Sequence, residues 1–152
     1  MPARYLAAML LAALLAAPAC AEQQSNPPET AQLVRVIDGD SLLVRHGSRE
    51  TQVRLIGLDA PEWNQPYGQQ AEDWVVRHCP QGSRLHLRYD QELRDRYDRL
   101  LAYVTCRGRF LNLHLVKSGL AKAKFYKPNG KHQRELKQAM ETAKKAKKGM
   151  WE

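Results

Sequence analysis

Three short apolar runs separated by turn residues constrain the fold of this chain more than any other feature. The runs cover residues 33–37, 42–44 and 51–58, and the segments DGD and HGSRE stand between them. Aspartate and glycine favour tight turns, and short apolar runs bounded by such residues are typical of β-strands. Because only a few residues join each run to the next, the strands are expected to pair with their neighbours in an antiparallel meander.

Further along the chain, apolar residues recur every three or four positions, which predicts helices, or every second position, which predicts strands. The predicted helices cover residues 67–79, 112–119 and 131–147, and the further strands cover residues 85–89 and 101–105. Asn112 is expected to cap the second helix with its side chain. An apolar stripe beginning at Leu136 is expected to pack the third helix against the core.

Five short strands and about three helices favour a small closed barrel. The predicted class is α+β, mainly β, with a five-stranded Greek-key barrel of the OB type and the helices packed on it. This domain is expected to occupy residues 31–152. An OB-type barrel also suits the binding of oligonucleotides.

Residues 1–21 have the layout of an export signal. Arg4 precedes an apolar stretch of 12 residues, which is shorter than the roughly 20 residues of a membrane-spanning helix, and the small residues ACA precede Glu22. We expect cleavage after Ala21, followed by a flexible leader over residues 22–30. The alternative is a lipoprotein anchored through Cys20. In both cases the protein is exported, to a periplasm or to the medium.

Two cysteines remain after that cleavage, Cys79 and Cys106. Compartments outside the cytoplasm permit disulfides, so a bridge between these residues is one hypothesis. Two unpaired, partly buried thiols are the other, because the sequence contains no distance between them.

The charge is distributed unevenly along the chain. Residues 22–116 contain 12 basic and 13 acidic residues, whereas residues 117–150 contain 11 basic residues against Glu135 and Glu141. A cationic region of this kind attracts polyanions such as nucleic acid. A solvated, lysine-rich helix face explains the same pattern, so the charge alone does not decide the function.

Four acidic residues lie close together in the first part of the chain. Asp38 and Asp40 flank one turn, and Asp59 and Glu62 lie in the LDAPE segment after the third strand. A meander can bring two such segments together, and neighbouring carboxylates repel unless a cation lies between them. Carboxylate oxygens are the ligands that Ca2+ prefers. A purely structural turn is the alternative reading of DGD.

Two arginines accompany these acids. Arg54 stands in an otherwise apolar strand, where a guanidinium is costly unless it faces a partner or a site, and Arg99 precedes the strand LLAYV. Planar guanidinium groups bind phosphate through two hydrogen bonds and offset charge that grows in a transition state. Acids and arginines together therefore indicate phosphoryl chemistry.

The segments that carry these residues resemble a known family. DGDSLLV is followed after nine residues by RLIGLDAPE, and later by DRYDRLLAYV and LAKAKFYKPN. This ordered set is similar to the thermonuclease family, the staphylococcal-nuclease-like domains. The resemblance extends over nearly all of the chain after the leader, and its first, spaced motif is the most specific part.

The resemblance implies a metal site. Asp40 and Asp59 would ligate Ca2+, and the backbone carbonyl of Ser41 would be a further ligand. Asp38 would support these ligands without binding the ion itself. Ser41 stands where the family usually has threonine, and because the implied role uses the backbone, little change is expected.

The resemblance also implies the catalytic roles. Glu62 would be the general base that activates a water molecule. Arg54 and Arg99 would hold the scissile phosphate and stabilise the five-coordinate phosphorane, so that cleavage leaves 3′-phosphates. Asp98 replaces a common glycine and adds a negative charge beside Arg99.

The nucleotide itself would be bound by Tyr126, Arg96 and Lys124. Lys124 stands where the family's reference enzyme has a second tyrosine, so binding at that position would depend more on charge than on stacking. The other tyrosines of the motifs, Tyr97 and Tyr103, are expected to be half-buried residues of the barrel.

Two functions follow from these observations. The first is an exported, Ca2+-dependent, sugar-nonspecific nuclease that acts on DNA and RNA as a monomer, with no stable protein partner and no membrane span. The alternative is a non-catalytic OB-type module that binds nucleic acid. Loss of Asp40, Glu62 or Arg99 would indicate the second function, and all three residues are present.

Overall fold

The structure is a computed structural model, and it describes residues 26–152. The predicted signal peptide, the cleavage site and Cys20 lie outside the described residues. The strands are β1 Thr30–Asp38, β2 Ser41–His46, β3 Arg49–Leu55, β4 Leu58–Asp59, β5 Arg84–Arg88, β6 Leu100–Cys106, β7 Arg109–Phe110 and β8 Lys122–Ala123. The helices are α1 Gly68–His78, α2 Leu111–Lys117 and α3 Gln133–Lys145, and a 3-10 turn follows at Gly149–Trp151.

Five of the strands close into a barrel. Strands β3, β2, β1, β5 and β6 pair in that order, each antiparallel to its neighbour, and β3 then pairs parallel with β6. The short strands β4 and β8 pair separately with each other. This closed, mixed barrel with three helices is consistent with the OB type and confirms the predicted fold class. Closure leaves the barrel strands without a long free edge.

The strand and helix periods place the core as the sequence predicts. In β5, Leu85 and Leu87 are buried and alternate with exposed polar residues. In α3, Leu136, Ala139 and Ala143 are buried on one face, which confirms the apolar stripe. Apolar burial of this kind contributes roughly 25 cal/mol per Å² and supplies most of the driving force for folding.

The end of the predicted leader is attached to the barrel. The amide of Leu87 donates a hydrogen bond of 2.8 Å to the carbonyl of Glu29. The hydroxyl of Tyr89 donates one of 2.5 Å to the carbonyl of Pro28. None of the helices in residues 26–152 is both long and apolar enough to cross a bilayer.

Asn112 does not cap α2, and this prediction was wrong. The N-cap position is Phe110, whereas Asn112 lies inside the helix and is fully buried. Its side-chain oxygen accepts a hydrogen bond from the amide of Val104 at 2.9 Å, and its nitrogen donates to the carbonyl of Ile56 at 2.8 Å. The residue therefore satisfies two backbone groups of the barrel that a helix cap could not reach.

Replacing Asn112 with alanine is expected to lower the free energy of unfolding by about 2 to 4 kcal/mol, because two buried backbone groups lose their partner. Chemical denaturation of the variant measures this loss. Asn64→Ala, at an exposed position, is the matched control and is expected to change the value by less than about 0.5 kcal/mol. Equal denaturation midpoints for the two variants would contradict a stabilising role of the Asn112 side chain.

Cys79 and Cys106 form a disulfide that connects the end of α1 to the end of β6. They are 27 residues apart in the chain. A link across a loop of this length restricts the unfolded chain and stabilises the protein by about 3 kcal/mol.

We expect the double variant Cys79→Ala/Cys106→Ala to lose about that amount of stability, and reduced wild-type protein to unfold at a similar denaturant concentration. Denaturant titrations with and without reductant measure both values. Two titratable thiols in denatured, non-reduced mature protein would show that the bridge does not form.

Candidate active site

The turn between β1 and β2 is connected to the segment that follows β4. The amide of Asp40 donates to Oδ1 of Asp38 at 2.9 Å, which closes the turn. Asp40 is buried; its Oδ1 accepts from the Ser41 hydroxyl at 3.2 Å and its Oδ2 from the amide of Ala60 at 2.7 Å. One carboxylate thus holds together the two acidic segments that the sequence places 20 residues apart.

Glycine is required in this turn by the packing around it. A Cβ on Gly39 would lie 2.6 Å from the Cβ of Ala71 and 2.9 Å from the Cβ of Ala60. Both distances are shorter than side chains tolerate. The DGD segment is therefore also a point where α1 and the second acidic segment approach the backbone closely.

Burial controls the protonation of Asp40. Removal from water raises the pKa of Asp40 to about 7, although the neighbouring Arg54 guanidinium favours the charged form.

Arg54 lies between the two aspartates. Its Nη1 is 3.0 Å from Oδ2 of Asp40, and its Nη2 is 3.2 Å from Oδ1 of Asp59. Nη1 also donates to the carbonyl oxygens of Leu55 and Leu58 at 3.2 and 3.1 Å. These partners explain how a guanidinium that is only 15% exposed is accommodated in the barrel wall.

Lys124 binds the second aspartate from the opposite side. Its Nζ is 3.2 Å from Oδ2 of Asp59, so the carboxylate lies between two cations. The same Nζ is 5.5 Å from the centre of the Tyr126 ring. Hydrogen bonds with Tyr126 and Asp59 raise the pKa of Lys124 above its usual value.

Asp95 orients Arg99 and was missed by sequence reasoning. Its Oδ2 accepts a hydrogen bond of 2.7 Å from Nε of Arg99, and its Oδ1 accepts from the amides of Arg99 and Tyr97. Burial raises the pKa of Asp95, but these hydrogen bonds outweigh burial and keep it below the usual value. Within the described chain the terminal nitrogens of Arg99 have no hydrogen-bond partner, so they can bind an anion.

The spacing of aspartate and arginine four residues apart in DRYDR could have indicated this pair. Asp98, in contrast, does not neutralise Arg99. It adopts a left-handed backbone conformation with φ of 63°, and its Oδ1 is 3.3 Å from Nη1 of Arg94.

Asp95→Asn is expected to lower kcat/KM roughly tenfold with little change in fold, because asparagine keeps the backbone hydrogen bonds but loses the charged partner of Arg99. Steady-state rates and circular dichroism measure the two effects. Asp98→Asn, which removes the charged partner of Arg94 and leaves its hydrogen bond to the backbone carbonyl of residue 98, is the matched control. Equal rates for the two variants would mean that Asp95 does not position Arg99.

Several polar and aromatic side chains surround a cleft of about 450 Å³ at this end of the barrel. Tyr97 and Tyr126 are each 65% exposed there, so the expectation of a half-buried Tyr97 was wrong, whereas Tyr103 is buried. Arg96 donates to the Tyr97 hydroxyl at 2.7 Å. The charged and aromatic residues that line the cleft are Arg54, Arg96, Arg99, Lys124, Tyr97 and Tyr126, together with Glu92 and Asp95.

Glu62 does not line this cleft. It follows Asp59 on the segment that Asp40 holds, and it is exposed. Its amide donates to Oε1 of Gln65 at 2.9 Å, whereas its carboxylate has no hydrogen bond or ion pair with any residue in 26–152. The Glu62 carboxylate is therefore accessible to solvent.

The acids of the site fit a hydrated, oxygen-ligated cation. Among the described residues, no three histidine, cysteine, aspartate or glutamate side chains converge as a metal site. Asp40 and Asp59 nevertheless meet at one guanidinium, that of Arg54. Two carboxylates with carbonyl oxygen and water are a donor set suited to Ca2+.

A closed barrel with a cleft lined by arginines and tyrosines, and with a cluster of carboxylates on adjoining segments, defines an OB-type protein with a candidate anion-binding site. Residues 52–152 match the family model described as staphylococcal nuclease homologue. The chain belongs to the staphylococcal nuclease family. Arg54, Asp59, Glu62 and Arg99 lie within the matched residues.

Named relatives agree with this assignment. The chain is 42% identical over 129 residues to the thermonuclease of Staphylococcus hyicus, covering 81% of this chain and 76% of that protein. It is 41% identical over 124 residues to the thermonuclease of Staphylococcus intermedius, covering 78% and 73%. It is 34% identical over 127 residues to endonuclease YncB of Bacillus subtilis, covering 78% and 60%.

Proposed function

We propose that this protein hydrolyses phosphodiester bonds in both DNA and RNA and leaves 3′-phosphate products. Its family and its named relatives make it a nuclease enzyme. One observation carries the proposal: Arg54 and Arg99 line the same cleft, while Asp40, Asp59 and Glu62 lie on the adjoining segments. This arrangement supplies both phosphate binding and a carboxylate base.

The two arginines bind and stabilise the scissile phosphate. Asp95 holds the Nε side of Arg99, so its two terminal nitrogens are presented to a phosphate. Arg54 is oriented by Asp40 and Asp59, and it supplies positive charge from the barrel wall. Positioned cationic donors of this kind stabilise the charge that develops in the transition state.

Glu62 acts as the general base. Its carboxylate is exposed and uncommitted within the described residues, and it projects from a turn fixed by the Gln65 hydrogen bond. It removes a proton from the attacking water, and attack opposite the 5′-oxygen leaves the phosphate on the 3′-oxygen. A positioned base typically contributes a factor of about 100 to 10,000 in rate.

Ca2+ would be held by Asp40 and Asp59, with the backbone carbonyl of Ser41. When bound, it would supply electrostatic stabilisation of the phosphate. Asp38 contributes by fixing the Asp40 amide, as the 2.9 Å hydrogen bond indicates. Tyr126, Arg96 and Lys124 bind the nucleotide from the cleft.

We propose in addition that the protein acts as an exported monomer, in a periplasm or in the medium. The signal-like residues 1–21 and the Cys79–Cys106 disulfide support export, since disulfides persist outside the cytoplasm. The same proposal divides the chain into a signal peptide at residues 1–21, a leader at residues 22–30 and the nuclease domain at residues 31–152.

The test is cleavage of single-stranded DNA, duplex DNA and RNA by the purified protein with Ca2+ and with a chelator. We expect cleavage of all three with Ca2+, loss of cleavage with the chelator, and 3′-phosphate ends on the products. Inert protein that binds oligonucleotides with steep salt dependence would establish the non-catalytic module instead.

A further inference from the structure

Trp63 is the most exposed of the large apolar side chains in the described part of the chain. It follows Glu62 directly and is 70% exposed. Tryptophan is highly buried in most proteins, and neither the nucleotide-binding cleft nor the acidic segments use this side chain. The mechanism proposed above leaves its position without an explanation.

The backbone under Trp63 is held firmly. The amide of Gln65 donates to the carbonyl of Glu62 at 2.8 Å, and the amide of Gly68 donates to the carbonyl of Gln65 at 3.0 Å. A Cβ on Gly68 would lie 1.8 Å from the Glu62 oxygen and 2.9 Å from the Cα of Trp63. The start of α1 therefore packs directly on these two residues, and an exposed indole ring projects from a fixed support.

Three aromatic side chains of the described residues are largely exposed, namely Trp63, Tyr97 and Tyr126. Tyr97 and Tyr126 line the cleft beside Arg99, and Trp63 lies next to the proposed base. In the proposed mechanism the cleft arginines and Glu62 act on the same phosphate, which would place the two tyrosines on one side of it and Trp63 on the other. Exposed aromatic rings along a cationic path are typical of surfaces that stack the bases of single strands.

We propose that Trp63 forms a stacking subsite for one nucleobase of the substrate, on the Glu62 side of the scissile phosphate. The identity of this ligand rests on the proposed nuclease function. A ring face accepts any base, so the subsite adds affinity without sequence preference. It accepts only an unstacked base, so it favours single strands over duplexes.

The proposed chemistry indicates which nucleotide this is. Attack in line with the leaving 5′-oxygen places the nucleotide that leaves through that oxygen on the face of the phosphate opposite Glu62 and the attacking water. The nucleotide that keeps the 3′-phosphate is then the one whose base reaches Trp63.

The first test measures binding without cleavage, in the Glu62→Gln protein with a short oligothymidylate as the probe. We expect the oligonucleotide to quench tryptophan fluorescence, and Trp63→Phe to remove most of the quenching because Trp74 and Trp151 are less exposed.

Trp63→Ala is expected to weaken binding roughly tenfold, and Trp63→Phe to retain most of the wild-type affinity. Val76→Ala, at another exposed apolar position, is the control and should bind normally. Equal affinity and quenching in all proteins would overturn the proposal.

The second test measures hydrolysis of substrates that lack one base beside the scissile bond. Trp63→Ala is expected to raise KM roughly tenfold for the intact substrate. The same substitution should have no effect on KM when the nucleotide that keeps the 3′-phosphate lacks its nucleobase. The same loss with either abasic substrate would overturn the assignment. Wild-type protein that cleaves nothing but shows base-dependent quenching would refute the nuclease function and leave the stacking subsite standing.

Discussion

Replacing Arg99 with alanine is expected to lower kcat by about 1000-fold, because the guanidinium that we propose to bind the scissile phosphate is removed. The fold is expected to survive, since Arg99 is partly exposed and its charged side-chain partner in the structure is Asp95. Single-turnover rates with saturating substrate measure the chemical step, and thermal unfolding measures the stability. Arg99→Lys should recover only part of the rate, since an ammonium group cannot form the paired hydrogen bonds of a guanidinium.

Arg94→Ala is the matched control for this experiment. Arg94 is an exposed arginine of the same loop; it binds Asp98 and does not line the cleft. Its removal should leave kcat within about threefold of wild type. Comparable losses in the two variants would mean that the loop needs positive charge in general and that Arg99 has no specific role.

Replacing Glu62 with glutamine is expected to lower kcat by at least about 100-fold, because the amide cannot accept the proton of the attacking water. Glutamine has nearly the same shape, and the hydrogen bond to Gln65 uses the backbone amide of residue 62, so the turn should remain intact. Single-turnover rates measure the loss, and circular dichroism measures whether the fold is retained.

Glu50→Gln is the control for loss of one carboxylate. Glu50 is exposed and pairs with Arg45 on the strands β2 and β3, outside the cleft. Activity of Glu62→Gln within threefold of wild type would remove Glu62 from the mechanism and leave the base unassigned.

The barrel and its helices could be predicted because their signals are local. Alternation in β5 and the stripe of α3 depend on the residues within each element, and both patterns reappear as buried faces in the structure. The role of Asn112 could not be predicted, because its partners Val104 and Ile56 are brought to it by barrel closure. The local preference of asparagine for helix caps was overridden by these tertiary hydrogen bonds.

In the candidate site, too, some features could be predicted from the sequence and others only became visible in the structure. The spaced motifs contain its acids and arginines, and the structure brings Asp40, Arg54 and Asp59 into contact. The role of Asp95 was missed and the burial of Tyr97 was predicted wrongly, because both depend on which way the side chain points. Asp95 points at Arg99, and Tyr97 points out of the barrel into the cleft.

The sequence alone determined the fold class of this protein, since periodicity and turn residues are properties of neighbouring residues. The order and spacing of its motifs pointed to the family. Only the tertiary structure decided how the charges are paired: Arg54 between two aspartates, Asp98 with Arg94, and Lys124 against Asp59. Electrostatic and hydrogen-bond energies depend on distance and burial, and barrel closure sets both by bringing distant segments within a few ångströms.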